Sequence, residues 1–248
     1  MRVVFVALAM ALFFILFLPA MLILLIIRKF NRHLSSVISQ FIVKYAFKVI
    51  LFCAGVHVKV IGLENIPKGE PVLYAGNHRG FADVPLAYST VPNITGFIAK
   101  TEIKKIPFMS WWMILVNCKF MDRNDMKQSL KIILQAIDDV KKGYSVFIMP
   151  EGTRGKNDDW CEPLPFKEGS MKIAEKTGCA IIPVAISNTS DVFEDHIPWV
   201  HGQHTVIHYG KPVYPKTMPK EDLRHLGGDV REIIIGMLKE DKQYCKNK

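Results

Sequence analysis

His78 and Asp83 stand five residues apart in the stretch LYAGNHRGFADVP, residues 73–85. A histidine takes and returns a proton near neutral pH, and a carboxylate within reach fixes its tautomer and stabilises its cation. On a regular helix, residues five apart are separated by about 500°, or roughly 140° around the axis, so this pair cannot share a helical face. The chain must bend between them. PVLYAG reads as a buried strand, Arg79-Gly80 as a turn, and Pro85 as a residue of a helix's first turn, where its missing N–H costs nothing. The spacing thus predicts His78 at the carboxyl end of a strand and Asp83 in the opening turn of a helix, a place where ligand sites collect in open α/β sheets.

A second group suited to chemistry is Glu151-Gly152-Thr153-Arg154, which follows the apolar strand-like YSVFIMP. In a sheet it would lie along the same edge as His78. Arg154 offers a planar fork of donors suited to phosphate, Thr153 a hydroxyl, and Gly152 a close backbone approach. Each signal alone is weak: a histidine after a strand is more often structural than catalytic, and EGTR also reads as a surface turn with a local Glu–Arg pair. No G-x-S-x-G elbow occurs, so nothing points to a serine nucleophile.

The elements that must position these groups alternate. Strand-like VKVIG, PVLYAG, residues 94–100, the segment ending CKFMDR, YSVFIMP and AIIPVAIS are interleaved with helical stretches. That order predicts a mixed, mostly parallel α/β sheet covered by helices. From Met126 the residues Leu130, Ile133, Leu134, Ile137 and Val140 form an apolar stripe at helical spacing, with Gly143 as the stop. Residues 170–176 form a further helix ending at Gly178. Residues 230–238 form the last one, followed by a charged tail expected to fray.

With 248 residues, 50% hydrophobic, the chain holds one large domain and an anchor. Its formal charge of +9 calls for an anionic partner: nucleic acid, an anionic lipid surface or a phosphorylated substrate. Lysines and arginines are spread along the chain rather than clustered with aromatics, which argues against nucleic acid. Five cysteines without a close pair suggest neither a disulfide framework nor a zinc site, and fit a reducing compartment. His196, His201, His204 and His208 lack carboxylates or cysteines at ligand spacing, so no metal site is expected.

Residues 3–27 carry no charge, more than the ~20 needed to cross a bilayer as a helix. Arg28, Lys29 and Arg32 follow, and the positive-inside rule places the next domain on the cytoplasmic face of the cell membrane. Pro19 leaves open a kinked helix that dips into one leaflet. Residues 37–55 carry Lys44 and Lys48 one turn apart among apolar side chains, which suits an interfacial helix or a core-facing one. The expected division is a membrane anchor at 1–57 and a catalytic α/β domain at 58–248.

NHRGFAD, MPEGTR, PFKEG (residues 165–169) and IIPVAI (residues 181–186) resemble, in order and spacing, the motifs of the glycerolipid acyltransferases. The closest likeness is to members that acylate 1-acylglycerol-3-phosphate. It covers residues 58–212, and AKTEIKKIPF and FMDR fall in the region of the family's second motif. The chain departs from the pattern at Ser110 and near Asn117, where glycine is usual, which bears on the shape of the pocket.

The resemblance implies a mixed α/β fold with an amino-terminal membrane-binding segment, and membrane lipid as a partner. It implies His78 as general base, oriented by Asp83, acting on the free hydroxyl of lysophosphatidic acid to give phosphatidic acid. The donor would be acyl-CoA or acyl-carrier protein as co-substrate, with no cofactor. Asn77, Lys100, Arg123, Glu151, Gly152, Thr153, Arg154 and Lys167 would form the substrate-binding set. Glu151 would bind the glycerol part or position Arg154, and the N–H groups of Arg79-Gly80 would hold the oxyanion. Another lysophospholipid acceptor, or a lipid hydrolase using the same His–Asp pair, is the alternative.

Overall fold

The computed structural model describes residues 1–157 and 159–245; Asp158 and positions 246–248 of the expected 58–248 domain lie outside the described residues. Seven strands form one sheet: β1 (His57–Ile61), β2 (Leu73–Gly76), β3 (Thr95–Lys100), β4 (Lys119–Met121), β5 (Ser145–Ile148), β6 (Ile181–Ser187) and β7 (His204–Tyr209). Their order is β1-β7-β6-β2-β5-β3-β4. β6, β2, β5, β3 and β4 run parallel, whereas β7 is antiparallel to β6 and β1 is parallel to β7. The fold is therefore a mixed, mostly parallel sheet flanked by helices.

Both faces of the central strands are buried, as a sheet covered on two sides requires. Side chains alternate between two cores with the period of two that a strand imposes. Tyr74, Phe97, Phe147, Ile182 and Ile207 face one core with α3 (Arg32–Ala54), α4 (Asp83–Thr90) and α5 (Met109–Leu115). Leu73, Ala75, Val146, Ile148 and Ile181 face the other with α6 (Met126–Lys141), α7 (Lys172–Thr177) and α8 (Leu226–Cys245).

Two helices differ from the sequence expectation. In α6, Ile132, Ala136, Ile137 and Val140 are buried, but Leu130 and Leu134 are exposed together with Met126. The helix lies beside the edge strand β4, so the sheet covers only part of its wide apolar arc. α8 does not fray after residue 238. It continues to Cys245, held by Asp241, which reaches His208 on β7 at 3.2 Å.

The uncharged amino-terminal run is not one straight helix. α1 (Arg2–Leu16) and α2 (Leu18–Phe30) meet at a 54° bend beside Pro19, whose ring cannot continue the preceding hydrogen-bond ladder. α3 is long and apolar enough to cross a membrane by length and composition. Both α1 and α2 pack on α3, and Met21, Leu24, Val43 and Leu51 join the core of the sheet's first face. One apolar core thus crosses the boundary expected at residue 57. Arg28 and Arg32, expected to mark a membrane boundary, are held by the domain: Asn117 Oδ1 accepts from Arg28 Nη2 at 3.0 Å and from Arg32 Nε at 2.9 Å.

Candidate active site

β2 occupies the middle of the sheet, between β6 and β5. The chain leaves β2 through α4 toward β3, and leaves β5 through α7 toward β6, so the connections diverge to opposite sides at this point. Such a switch opens a crevice at the carboxyl ends of the strands. His78 follows β2 there, Glu151 follows β5, and Thr189 follows β6. The expected strand–turn–helix corner is present, with Asp83 the first residue of α4 and Pro85 the third.

His78 Nδ1 lies 2.7 Å from Asp83 Oδ2. Asp83 is fully buried and every hydrogen bond it receives comes from the site itself. Oδ2 also accepts the N–H groups of Arg79 at 2.7 Å and Gly80 at 2.9 Å, and Oδ1 accepts the hydroxyl of Thr189. A carboxylate so surrounded by donors is an acceptor, so Nδ1 carries the proton and Nε2 keeps the ring's free lone pair. The N–H groups of Arg79 and Gly80 are directed at Asp83 and are not free for an oxyanion, contrary to the sequence expectation. Gly80 itself is required by packing: a Cβ there would stand 2.8 Å from the carbonyl oxygen of Thr189.

The EGTR loop clasps the histidine's main chain on both sides. Glu151 Oε1 accepts the N–H of His78 at 2.6 Å, and the N–H of Gly155 donates to the carbonyl of His78 at 2.8 Å. The other oxygen of Glu151 accepts the N–H of Leu164 at 2.8 Å. Burial pushes the Glu151 carboxyl up to about 7 against the pull of these two N–H donors. Its oxygens thus face the backbone and make no hydrogen bond or ion pair with Arg154 among the described residues, so Glu151 positions the main chain of His78 rather than Arg154. Asn77 is likewise buried, its amide exchanging two hydrogen bonds with the main chain of Ile186 on β6 at 2.9 and 2.7 Å. That bonding pattern extends the β2–β6 pairing by one residue.

The remaining expected substrate contacts fall along the same edge with their cationic ends variously engaged. Arg154 donates to Glu194 Oε1 at 2.9 Å, and its guanidinium carbon lies 3.9 Å from the centre of the Phe81 ring. Thr153 is exposed. Gly152 has φ +75°, and Lys167 Nζ lies 2.8 Å from where its Cβ would be, which places that ammonium over the loop. Arg123, after β4, is half-buried and makes no hydrogen bond or ion pair among the described residues; burial lowers its pKa, and Glu102 offsets part of this. Lys100 ends β3 and pairs with Glu102 at 2.7 Å in solvent.

Two site residues, Thr189 and Glu194, escaped the sequence reading, as did the side-chain role of Arg79. Arg79 grips Asn157 with Nη1 and Nη2 at 2.7 and 2.9 Å, Thr189 supports Asp83, and Glu194 joins Phe81 N–H to Arg154. Neither Thr189 nor Glu194 belongs to a spaced pattern, and only the position of Thr189 just past a buried strand hinted at the edge. Burial raises the Glu194 carboxyl, and nearby Asp83 adds to this. Beside this edge Trp112 of α5 is buried against Phe13 of α1 at 5.2 Å, while Phe108 and Trp111 remain exposed in edge contact at 5.4 Å.

Residues 57–187 match the family model described as Acyltransferase. The chain is similar to a 1-acyl-sn-glycerol-3-phosphate acyltransferase of Saccharomyces cerevisiae, 28% identical over 211 residues, covering 85% of this chain and 68% of that one. It is 30% identical over 205 residues to the enzyme of the same name from Borreliella burgdorferi, covering 83% of this chain and 81% of the relative. The crystal structure of the 1-acyl-sn-glycerophosphate (LPA) acyltransferase from Thermotoga maritima matches with a TM-score of 0.82 at 25% identity, covering 99% of this chain and 97% of that one.

Proposed function

The chain belongs to the 1-acyl-sn-glycerol-3-phosphate acyltransferase family, and from that premise we propose that it moves a fatty acyl group from a thioester donor to the free hydroxyl of 1-acylglycerol-3-phosphate, giving phosphatidic acid. Acyl transfer to a lysophospholipid follows from the family; the acceptor's identity, the donor as acyl-CoA or acyl-carrier protein, and the cytoplasmic placement of the domain are our reading. The observation that carries it is the double clasp on His78. The loop bearing Arg154 holds both main-chain groups of the base, so a phosphate on Arg154 and a hydroxyl at Nε2 are fixed relative to one another.

Nε2 of His78 takes the proton of the acceptor hydroxyl as its oxygen attacks the thioester carbonyl. The tetrahedral intermediate then expels the thiolate, which takes the proton from the imidazolium. The new oxygen–carbon bond replaces the sulfur–carbon bond, and the free thiol leaves. Asp83 holds the imidazole and stabilises its cation, while Arg154, Arg123 and Lys167 supply positive charge for the acceptor phosphate. The bent α1–α2 pair and α3 are long and apolar enough to hold the chain at the membrane where the acceptor and product lipids lie.

A panel of acceptors with a labelled acyl thioester, assayed in membranes, tests the reading. Labelled phosphatidic acid from 1-acylglycerol-3-phosphate, abolished by His78→Ala with membrane association unchanged, is the expected result. Free fatty acid alone would make the protein a hydrolase, and preference for another lysophospholipid would replace the acceptor.

A further inference from the structure

The segment after β6 folds back over the turn that joins His78 to Asp83. Phe193 meets the Phe81 ring edge-on at 6.0 Å, and the carbonyl of Thr189 presses on Gly80. Glu194, in the 3₁₀ turn that follows, places one carboxylate oxygen between two donors. Oε1 accepts the N–H of Phe81 and, at 2.9 Å, Nη1 of Arg154. Oε2 is buried without a hydrogen-bond partner. Arg154 is thus held on three sides: by its own loop, by the Phe81 ring beneath it and by Glu194 at one end of its fork.

An unheld arginine loses much rotamer freedom when it grips a phosphate, and a single carboxylate contact at one Nη removes that freedom in advance. Nη1 is engaged, while Nε and Nη2 make no hydrogen bond among the described residues and form the edge suited to bidentate recognition of an anion. Glu194 also touches both the turn carrying the histidine and the arginine of the EGTR loop.

Resting on the proposed acceptor reading, we infer that Glu194 is a positioning residue for acceptor selection. It presets Arg154 over Phe81 so that the headgroup phosphate is bound in register with His78. Glu194 need not touch the substrate.

The test is steady-state kinetics on the full chain in membranes, with whichever phosphorylated lysolipid the wild type turns over. Glu194→Ala is expected to raise the acceptor KM about tenfold and leave the donor KM unchanged. Glu194→Gln, which keeps a carbonyl oxygen between the two donors, should restore most of it. In an Arg154→Lys background, Glu194→Ala should add little, because the arginine it orients is gone. Should the alanine variant fail to fold, Glu194→Asp carries the test, since the shorter side chain cannot reach both donors and should raise the acceptor KM in the same way. An unmoved acceptor KM, equal rises in both Michaelis constants, or full multiplication in the double variant would overturn the role. Wild-type turnover only of unphosphorylated acceptors would overturn the proposed function and this inference together.

Discussion

Glu151 accepts the main-chain N–H of His78 at 2.6 Å, so the acidic residue of one motif sets the position of the base in the other. Its carboxyl titrates near 7 rather than near the ordinary 4.5, because burial disfavours the charge. The folded state therefore binds this proton more tightly than the unfolded chain. Stability from it is fully present below about 4.5 and is lost as pH rises through about 7, by up to ~3 kcal/mol. Thermal melts of wild type and Glu151→Gln from pH 4.5 to 8 should show this slope in the wild type and its loss in the variant. Parallel curves would refute the assignment.

Asp83 collects four donors in a fully buried place. Asp83→Asn turns one acceptor oxygen into a donor facing N–H or O–H groups, and removes the charge that stabilises the imidazolium. We expect kcat to fall on the order of 10²–10⁴-fold with the acceptor KM little changed. A variant with normal turnover would remove Asp83 from the mechanism.

Arg154→Lys replaces a planar fork held over Phe81 by a flexible point charge. The acceptor KM should rise about tenfold, with a smaller effect on kcat. Titration of 1-acylglycerol-3-phosphate at saturating donor measures it, and an unchanged constant would count against a phosphate contact.

The corner carrying His78 and Asp83 was legible because five-residue spacing, a turn pair and a helix-compatible proline are local signals. The sheet class followed from alternation for the same reason. What joins the motifs was not legible: Glu151 to His78, Thr189 to Asp83 and Glu194 to Arg154 are contacts across 73, 106 and 40 residues, fixed only once β2 lies between β5 and β6. The stripe on α6 was misread for a related reason. Periodicity shows an apolar arc but not how much of it an edge strand can cover.

Asn117 shows how a departure from a glycine pattern is accommodated. Its φ of +62° lies in the left-handed region, where glycine is cheapest and asparagine the best-tolerated substitute. The side chain then does what glycine cannot. It accepts Arg28 and Arg32 and donates to Ser36 at 2.9 Å, tying α2 and α3 to the end of α5. Arg32 keeps a second partner in Asp139 at 2.7 Å, but the contacts of Arg28 beyond Asn117 are longer, at 3.3 and 3.5 Å. Asn117→Gly should thus preserve the backbone and loosen the helices. Hydrogen exchange should quicken about tenfold in α2 and the first half of α3, with β2 and β5 unaffected. Asn117→Ala loses the same bonds and adds about 1 kcal/mol of left-handed strain, so it should also lower the melting temperature of the whole chain. Equal exchange in wild type and the glycine variant would show that apolar packing and the remaining arginine contacts hold the helices without it, and that the asparagine is only a tolerated backbone substitute.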